Sequence, residues 1–162
     1  MNIISKFKKE YSWLSNFHPI TIPWAGRNYP SVENYYQAMK LSCSMESTKD
    51  LGMIWHELTY CKPGQAKRLS RTINIDLSMW NAQREETMLN GLKVKFATAT
   101  QLQHQLIATG DKELVEGNYW HDNFWGDCKC NKCVTPGLNV LGQLLMRIRT
   151  KAQIPIRSTN ET

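Results

Sequence analysis

What this chain lacks narrows its function before any motif is read. None of its 162 residues falls in a run approaching the about 20 consecutive apolar positions that a membrane-spanning helix needs. The opening stretch MNIISKFKKEYSW has neither the apolar centre nor the small-residue cleavage site of a secretory leader. Both absences set the expectation of a cytoplasmic protein with no membrane partner. Cysteine is sparse, and the five present (Cys43, Cys61, Cys128, Cys130 and Cys133) are odd in number and unevenly spread. That pattern argues against a disulfide framework and for reduced thiols. There is no internal repeat, no low-complexity run and no RRM, KH or zinc-finger signature, and the basic residues are dispersed along the chain. A nucleotide- or nucleic-acid-binding module without chemistry is therefore the alternative class of function, resting on charge and aromatics alone.

The rest of the composition is that of an ordinary globular domain, with 41% apolar and 21% charged residues. Residues 1–150 are expected to form one domain, and 151–162, with little to bury, a mobile tail. The net charge of +6 points mildly to a phosphate-bearing ligand. HPITIPWAGRNYP, with Ile20 and Ile22 alternating and a turn at Gly26, predicts a short hairpin. Ser31 then caps a helix running to about Cys43 that buries Val32, Tyr35, Tyr36 and Met39. Further helices are expected over 46–58, from Pro63 to about Ser70, and from Ser78 to Phe96 on a stripe of Met79, Met88, Leu92 and Phe96. Others run from Thr100 to a glycine stop at Gly110 and from Leu138 to Arg149, with a strand at 113–117. The fold class is thus α+β, a mainly helical single domain with a small N-terminal β-hairpin. The segment NYWHDNFWGDCKCNKCVTPGLN is too long and too rich in Trp and Asp to be a mere connector.

Within PSVENYYQAMK, steps of four and three residues place Glu33, Gln37 and Lys40 on one helical face. Seven residues of helix rise about 10.5 Å, but side chains lean toward the N-terminus, so the Lys40 amine reaches back over Gln37 toward Glu33. A sugar would fit the gap. On spacing alone, a solvated amphipathic stripe is the default reading of such a face.

A set of segments changes that weighting. WLSNF (13–17), YPSVENYYQAMK (29–40), AKRLSR (66–71), MLNGLKVKF (88–96), LIATGDKELVEGN (106–118), DNFWGD (122–127) and LNVLGQLLMRIR (138–149) together resemble, in type and order, the motifs of the NADAR family of N-glycosidases. The resemblance covers about residues 7–149. Two positions depart from it: Asn34 stands where the family motif has His, and Ser70 where it has Gly before Arg71.

The resemblance implies cleavage of an N-glycosidic bond in a nucleotide-like substrate. That substrate is either ADP-ribose attached to guanine, on DNA or RNA, or an early riboflavin-pathway intermediate. Breaking a bond between an anomeric carbon and nitrogen builds positive charge on the sugar, so the site needs a carboxylate or a nucleophile close by. Glu33 and Lys40 supply one of each, with Asp127 as a second carboxylate able to assist water. Lys67 and Arg71, four apart, suit phosphates, although a solvated basic face has the same spacing. Phe17, Trp80 and Trp125 offer rings to a base, while Asn16, Gln37 and Asp122 can read hydroxyls or base edges. The chemistry requires no cofactor and no metal. Zinc held by His121, Cys128, Cys130 and Cys133 is the rival reading of the aromatic loop, because its C-x-x-C half has ligand spacing.

Overall fold

The computed structural model describes residues 2–46 and 48–154. Among these residues the helices are α1 (Val32–Met39), α2 (Thr48–Glu57), α3 (Pro63–Ser70), α4 (Leu77–Lys95), α5 (Gln101–Ala108) and α6 (Val140–Gln153). The strands are β1 (Ile3–Ile4), β2 (Ile22–Trp24), β3 (Arg27–Tyr29), β4 (Glu113–Leu114), β5 (Gly117–Asn118) and β6 (Asp127–Cys128). They pair as an antiparallel hairpin, β2 with β3, and as two short parallel pairs, β1 with β4 and β5 with β6. This is the mainly helical α+β class expected. None of these helices is long and apolar enough to cross a membrane. Among the described residues the chain forms two compact units, one of Lys8–Lys95 and one of residues 2–7 with 96–154.

In the Lys8–Lys95 unit, a two-residue turn of Ala25 and Gly26 joins β2 to β3 with φ of 47° and 74°. Positive φ at both positions gives the turn whose twist matches that of the flanking strands. The Ser31 hydroxyl then accepts a hydrogen bond from Asn34 N at 3.1 Å and starts α1 as expected. This helix is buried all round from Val32 to Ala38. Packing of α3 and α4 against it, and the hairpin rings Trp24 and Tyr29 meeting Tyr35 edge-on at 5.5 and 6.1 Å, account for that burial. The approach of α4 is close enough that a Cβ at Gly91 would lie 2.8 Å from the Tyr35 ring. Past Met39 the helix tightens into a 3-10 turn over Lys40–Cys43. Helix α3 spans the expected residues, with Pro63 in its first turn.

Asp76 Oδ1 accepts from Ser78 N and Met79 N at 2.9 and 3.0 Å, so α4 begins one residue earlier than the pattern suggested. Its apolar stripe holds at Met88, Leu92 and Phe96 but not at Met79, which is 53% exposed. Near its C-terminal end Lys95 is buried, and its amine donates to Ser15 O at 2.6 Å. Burial brings that amine's pKa down to about 7.

In the other unit, Thr100 caps α5 through its side chain, and Gly110 turns the chain afterwards with φ 59°. The strand expected at 113–117 divides into β4 and the start of β5. Asn139, at the head of α6 with φ 51°, accepts from Glu116 N at 3.0 Å and donates to Leu114 O at 2.9 Å. One side chain thereby fastens the last helix to the end of β4 and to the segment that follows it. Helix α6 continues past Arg149 to Gln153, so the start of the expected tail is helical. Residues 155–162 of that tail lie outside the described residues.

Candidate active site

The face of α1 is not a solvated stripe. Glu33 and Gln37 are 6% and 2% exposed, and the two side chains are joined: Gln37 Nε2 donates to Glu33 Oε1 at 2.5 Å. The other end of the amide is fixed from α3, where Ser70 Oγ donates to Gln37 Oε1 at 2.5 Å. Ser70 thus orients Gln37, and Gln37 orients the carboxylate. This hydroxyl takes the place of the family's glycine, and Ser70 is the last residue of α3, with no positive φ for a glycine to relieve. The sequence offered no sign of the contact, because it depends on α3 lying against α1.

Asn34, the other departure, is fully buried and faces elsewhere. It accepts from Ser31 Oγ at 2.6 Å and donates to Leu58 O and Cys61 O at 3.1 and 2.9 Å. It clasps the α1 N-terminus to the segment before α3, so its work is structural.

Lys40 is half-buried, its Nζ 5.6 Å from the Tyr36 ring centre and 5.7 Å from that of Trp80. These rings meet edge-on at 4.9 Å and form a wall beside the amine. Desolvation lowers the Lys40 pKa from the usual lysine value; Glu33 opposes the shift, while Lys67 and Arg71 add to it. The structure therefore brings Glu33, Gln37, Lys40, Lys67, Arg71 and Trp80 into one electrostatic neighbourhood. Trp80, only 5% exposed, serves as a wall for the amine more than as an open face for stacking a base. Phe17, 45% exposed, keeps an open ring.

Asn16 joins this neighbourhood through its backbone, which accepts the Glu33 N–H at 3.0 Å. Its Nδ2 lies 3.3 Å from Met88 Sδ, and its Oδ1 is buried without a donor among the described residues. A buried acceptor left unpaired costs about 1–3 kcal/mol, which a hydroxyl or amine donor would relieve.

The remaining candidates lie in the loop between β5 and α6. Asp122 Oδ1 accepts from Trp125 N at 2.8 Å, and the Trp125 ring meets Phe124 edge-on at 4.9 Å. Asp127 has both oxygens engaged, one by Gly137 N at 2.9 Å and the other by Lys129 at 2.5 Å. The Gly137 N–H and Lys129 hold its pKa below the usual carboxylate value. Here Asp122 and Asp127 shape the loop. His121 and the three loop cysteines also converge, their ligand atoms all within 4.8 Å of one another.

The fold is a mainly helical α+β domain in which α1 carries buried Glu33 and Gln37 just ahead of a half-buried Lys40. The profile of the NADAR domain matches residues 4–153, and the chain belongs to that family. It is 36% identical over 146 residues to a riboflavin biosynthesis protein of Vibrio vulnificus, covering 90% of this chain but only 36% of that one. A chloroplastic riboflavin biosynthesis protein of Zea mays is 33% identical, with 93% of this chain matching 25% of that protein. The chain thus spans about a third and a quarter of these two longer relatives. An N-glycosidase of Nostoc punctiforme is 35% identical over 145 residues, with 89% of this chain and 87% of that protein covered. In three dimensions the Escherichia coli protein YbiA superposes with a TM-score of 0.72 at 28% identity, over 93% of this chain and 84% of that one.

Proposed function

We propose that this chain is an N-glycosidase acting on a nucleotide-like substrate, with Lys40 as nucleophile and Glu33 as the carboxylate beside it. The observation that carries this reading is the state of Lys40: an amine lowered in pKa by burial, next to two further cations, beside a carboxylate oriented by Gln37 and Ser70. A lysine attacks carbon only as the free amine, and desolvation shifts Lys40 toward that form.

In the proposed sequence the Lys40 nitrogen bonds to the anomeric carbon as the bond from that carbon to the base nitrogen breaks. The electron pair leaves with the base, which takes a proton from solvent water, and the later hydrolysis of the imine returns one. Glu33 takes the proton released from the Lys40 nitrogen and returns it to the sugar as the ring opens to a Schiff base. Water then adds to the imine carbon, the amine leaves, and the free sugar is released. Lys67 and Arg71 hold the phosphates, Phe17 offers a ring to the base, and Asn16 Oδ1 accepts from a substrate hydroxyl or amine.

The preferred substrate is ADP-ribose linked to guanine, on DNA, RNA or the free nucleotide, with the cytoplasm as its setting. Riboflavin-pathway intermediates are the second reading, favoured by the names of the longer relatives. Incubating the full chain with an ADP-ribosylated guanine oligonucleotide, and separately with those intermediates, tests both. Release of free base or ADP-ribose from one of them supports the reading. Tight binding with no release would make the chain a nucleotide-binding module instead. Borohydride added during turnover should fix a sugar adduct on the peptide containing Lys40, seen by mass spectrometry.

A further inference from the structure

The loop between β5 and α6 buries little apolar surface: Tyr119, Trp120, Val134 and Leu138 are all more than half exposed. It is nevertheless tightly framed. Asn118 Oδ1 accepts from Asp122 N at 3.2 Å while its Nδ2 donates to Asp122 O at 2.7 Å. Asn123 accepts from Cys128 N at 2.9 Å and donates to Thr135 O at 3.2 Å, and Asp127 holds Gly137 N. These bonds fold the two arms of the loop against each other and set His121 facing the cysteine run.

His121 has φ 66°, a left-handed backbone that a residue with a Cβ adopts only at a cost. That turn places its Nδ1 3.1 Å from Cys130 Sγ and 3.5 Å from Cys133 Sγ. Cys128, buried on β6, completes a group whose four ligand atoms lie within 4.8 Å of one another. Zinc bound tetrahedrally at about 2.3 Å from sulfur and about 2.0 Å from nitrogen sets its ligand atoms about 3.5–3.8 Å apart. The group needs to close by only about 1 Å to meet that geometry.

We infer that His121, Cys128, Cys130 and Cys133 hold one zinc ion, which staples the loop. Two observations independent of ligand spacing favour it over idle thiols: the left-handed His121 backbone, and a segment with almost no core of its own. A disulfide would use two of the three sulfurs and leave His121 unexplained. Three thiolates and a neutral imidazole give the bound site one net negative charge, and Lys129 and Lys132, interleaved with the cysteines, are both exposed beside it. Four protein ligands leave no open position, so the ion is structural and takes no part in bond cleavage. On binding, each cysteine thiol releases its proton to solvent as its sulfur bonds to the metal.

The test uses the full chain expressed with zinc in the medium and purified without chelator. Metal analysis should find one zinc per chain. Cobalt substituted for zinc should show sulfur-to-cobalt charge-transfer absorption with the intense visible bands of a tetrahedral site. Cys130→Ser and Cys133→Ser should each bring the stoichiometry toward zero, whereas His121→Cys, which supplies a fourth sulfur, should keep it near one. Should the serine variants fail to fold, the cobalt spectrum of the wild-type chain and the zinc content of His121→Cys decide the matter alone. Folded wild-type protein with zinc far below one per chain, a disulfide among the three cysteines, or cobalt bands that persist in Cys130→Ser would overturn the assignment.

Discussion

The α1 face and the loop between β5 and α6 each gather chemically able side chains, but they are ordered by different means. On α1 the polar residues are held by packing: a helix buried on every side carries Glu33 and Gln37, and Lys40 follows in the turn at its end, partly desolvated. In the loop, order comes from side-chain amides and carboxylates bonded to backbone, and aromatic rings remain at the surface. The lesson concerns where free energy is stored. Burial changes the proton affinity of Lys40, which is what a nucleophile requires. Polar framing fixes position while leaving groups wet, which suits a scaffold or a metal ligand set.

The comparison can be broken hardest at Lys40. Lys40→Arg retains the charge but offers no amine nucleophile near neutral pH, so turnover should fall by about 10⁴-fold or more and no adduct should be trapped. An active arginine variant would show that the residue only steadies charge. Next in size, Glu33→Gln keeps the shape and can still accept from Gln37, so the fold should persist while kcat drops by about 10²–10⁴-fold, the range for a lost acid–base group. Circular dichroism and steady-state kinetics read the two effects separately.

A packing test should touch the helix face and spare the loop. Gly91→Ala drives a Cβ toward the Tyr35 ring, and overpacking of this kind costs about 1–3 kcal/mol in urea unfolding. The zinc content of the loop should not change. The smallest effect is electrostatic. Lys67 helps lower the Lys40 pKa, so Lys67→Ala should raise it and move the acid limb of the kcat/KM profile to higher pH. A limb that stays put while KM rises would confine Lys67 to phosphate binding.

Much of the fold was legible because its signals are local. The Ser31 cap, Pro63 in a first turn, Thr100 with Gly110, and the Ala25–Gly26 turn each act within a few residues of their own position. What escaped was non-local. Strand β1 pairs Ile3 with Glu113, and two-residue strands are too short to show alternation. The burial of Glu33 and Gln37 ran against the usual meaning of charged residues on a helix, and only the packing of α3 and α4 against α1 decides it. Ser70 could be recognised as a departure but not as the donor that sets Gln37. Asp127 could be recognised as a loop carboxylate, yet the engagement of both its oxygens depends on Gly137 and Lys129 being folded back on it.

The buried Lys95 makes the heat of unfolding depend on the buffer. Its amine titrates at about 7 in the native chain and near the ordinary lysine value of 10.5 when exposed, so at pH 8 to 9 unfolding takes up close to one proton from solution. The buffer supplies that proton and adds its own ionisation enthalpy to the calorimetric signal. Scans in Tris and in phosphate at equal pH should therefore differ for the wild-type chain, and the difference should shrink in Lys95→Met. By the same linkage, the contribution of Lys95 to stability is fully present above pH 10.5 and is lost progressively as pH falls toward 7. The Ser15 carbonyl that Lys95 holds is followed directly by Asn16, whose backbone holds Glu33, so this amine titrates two hydrogen bonds away from the proposed chemistry.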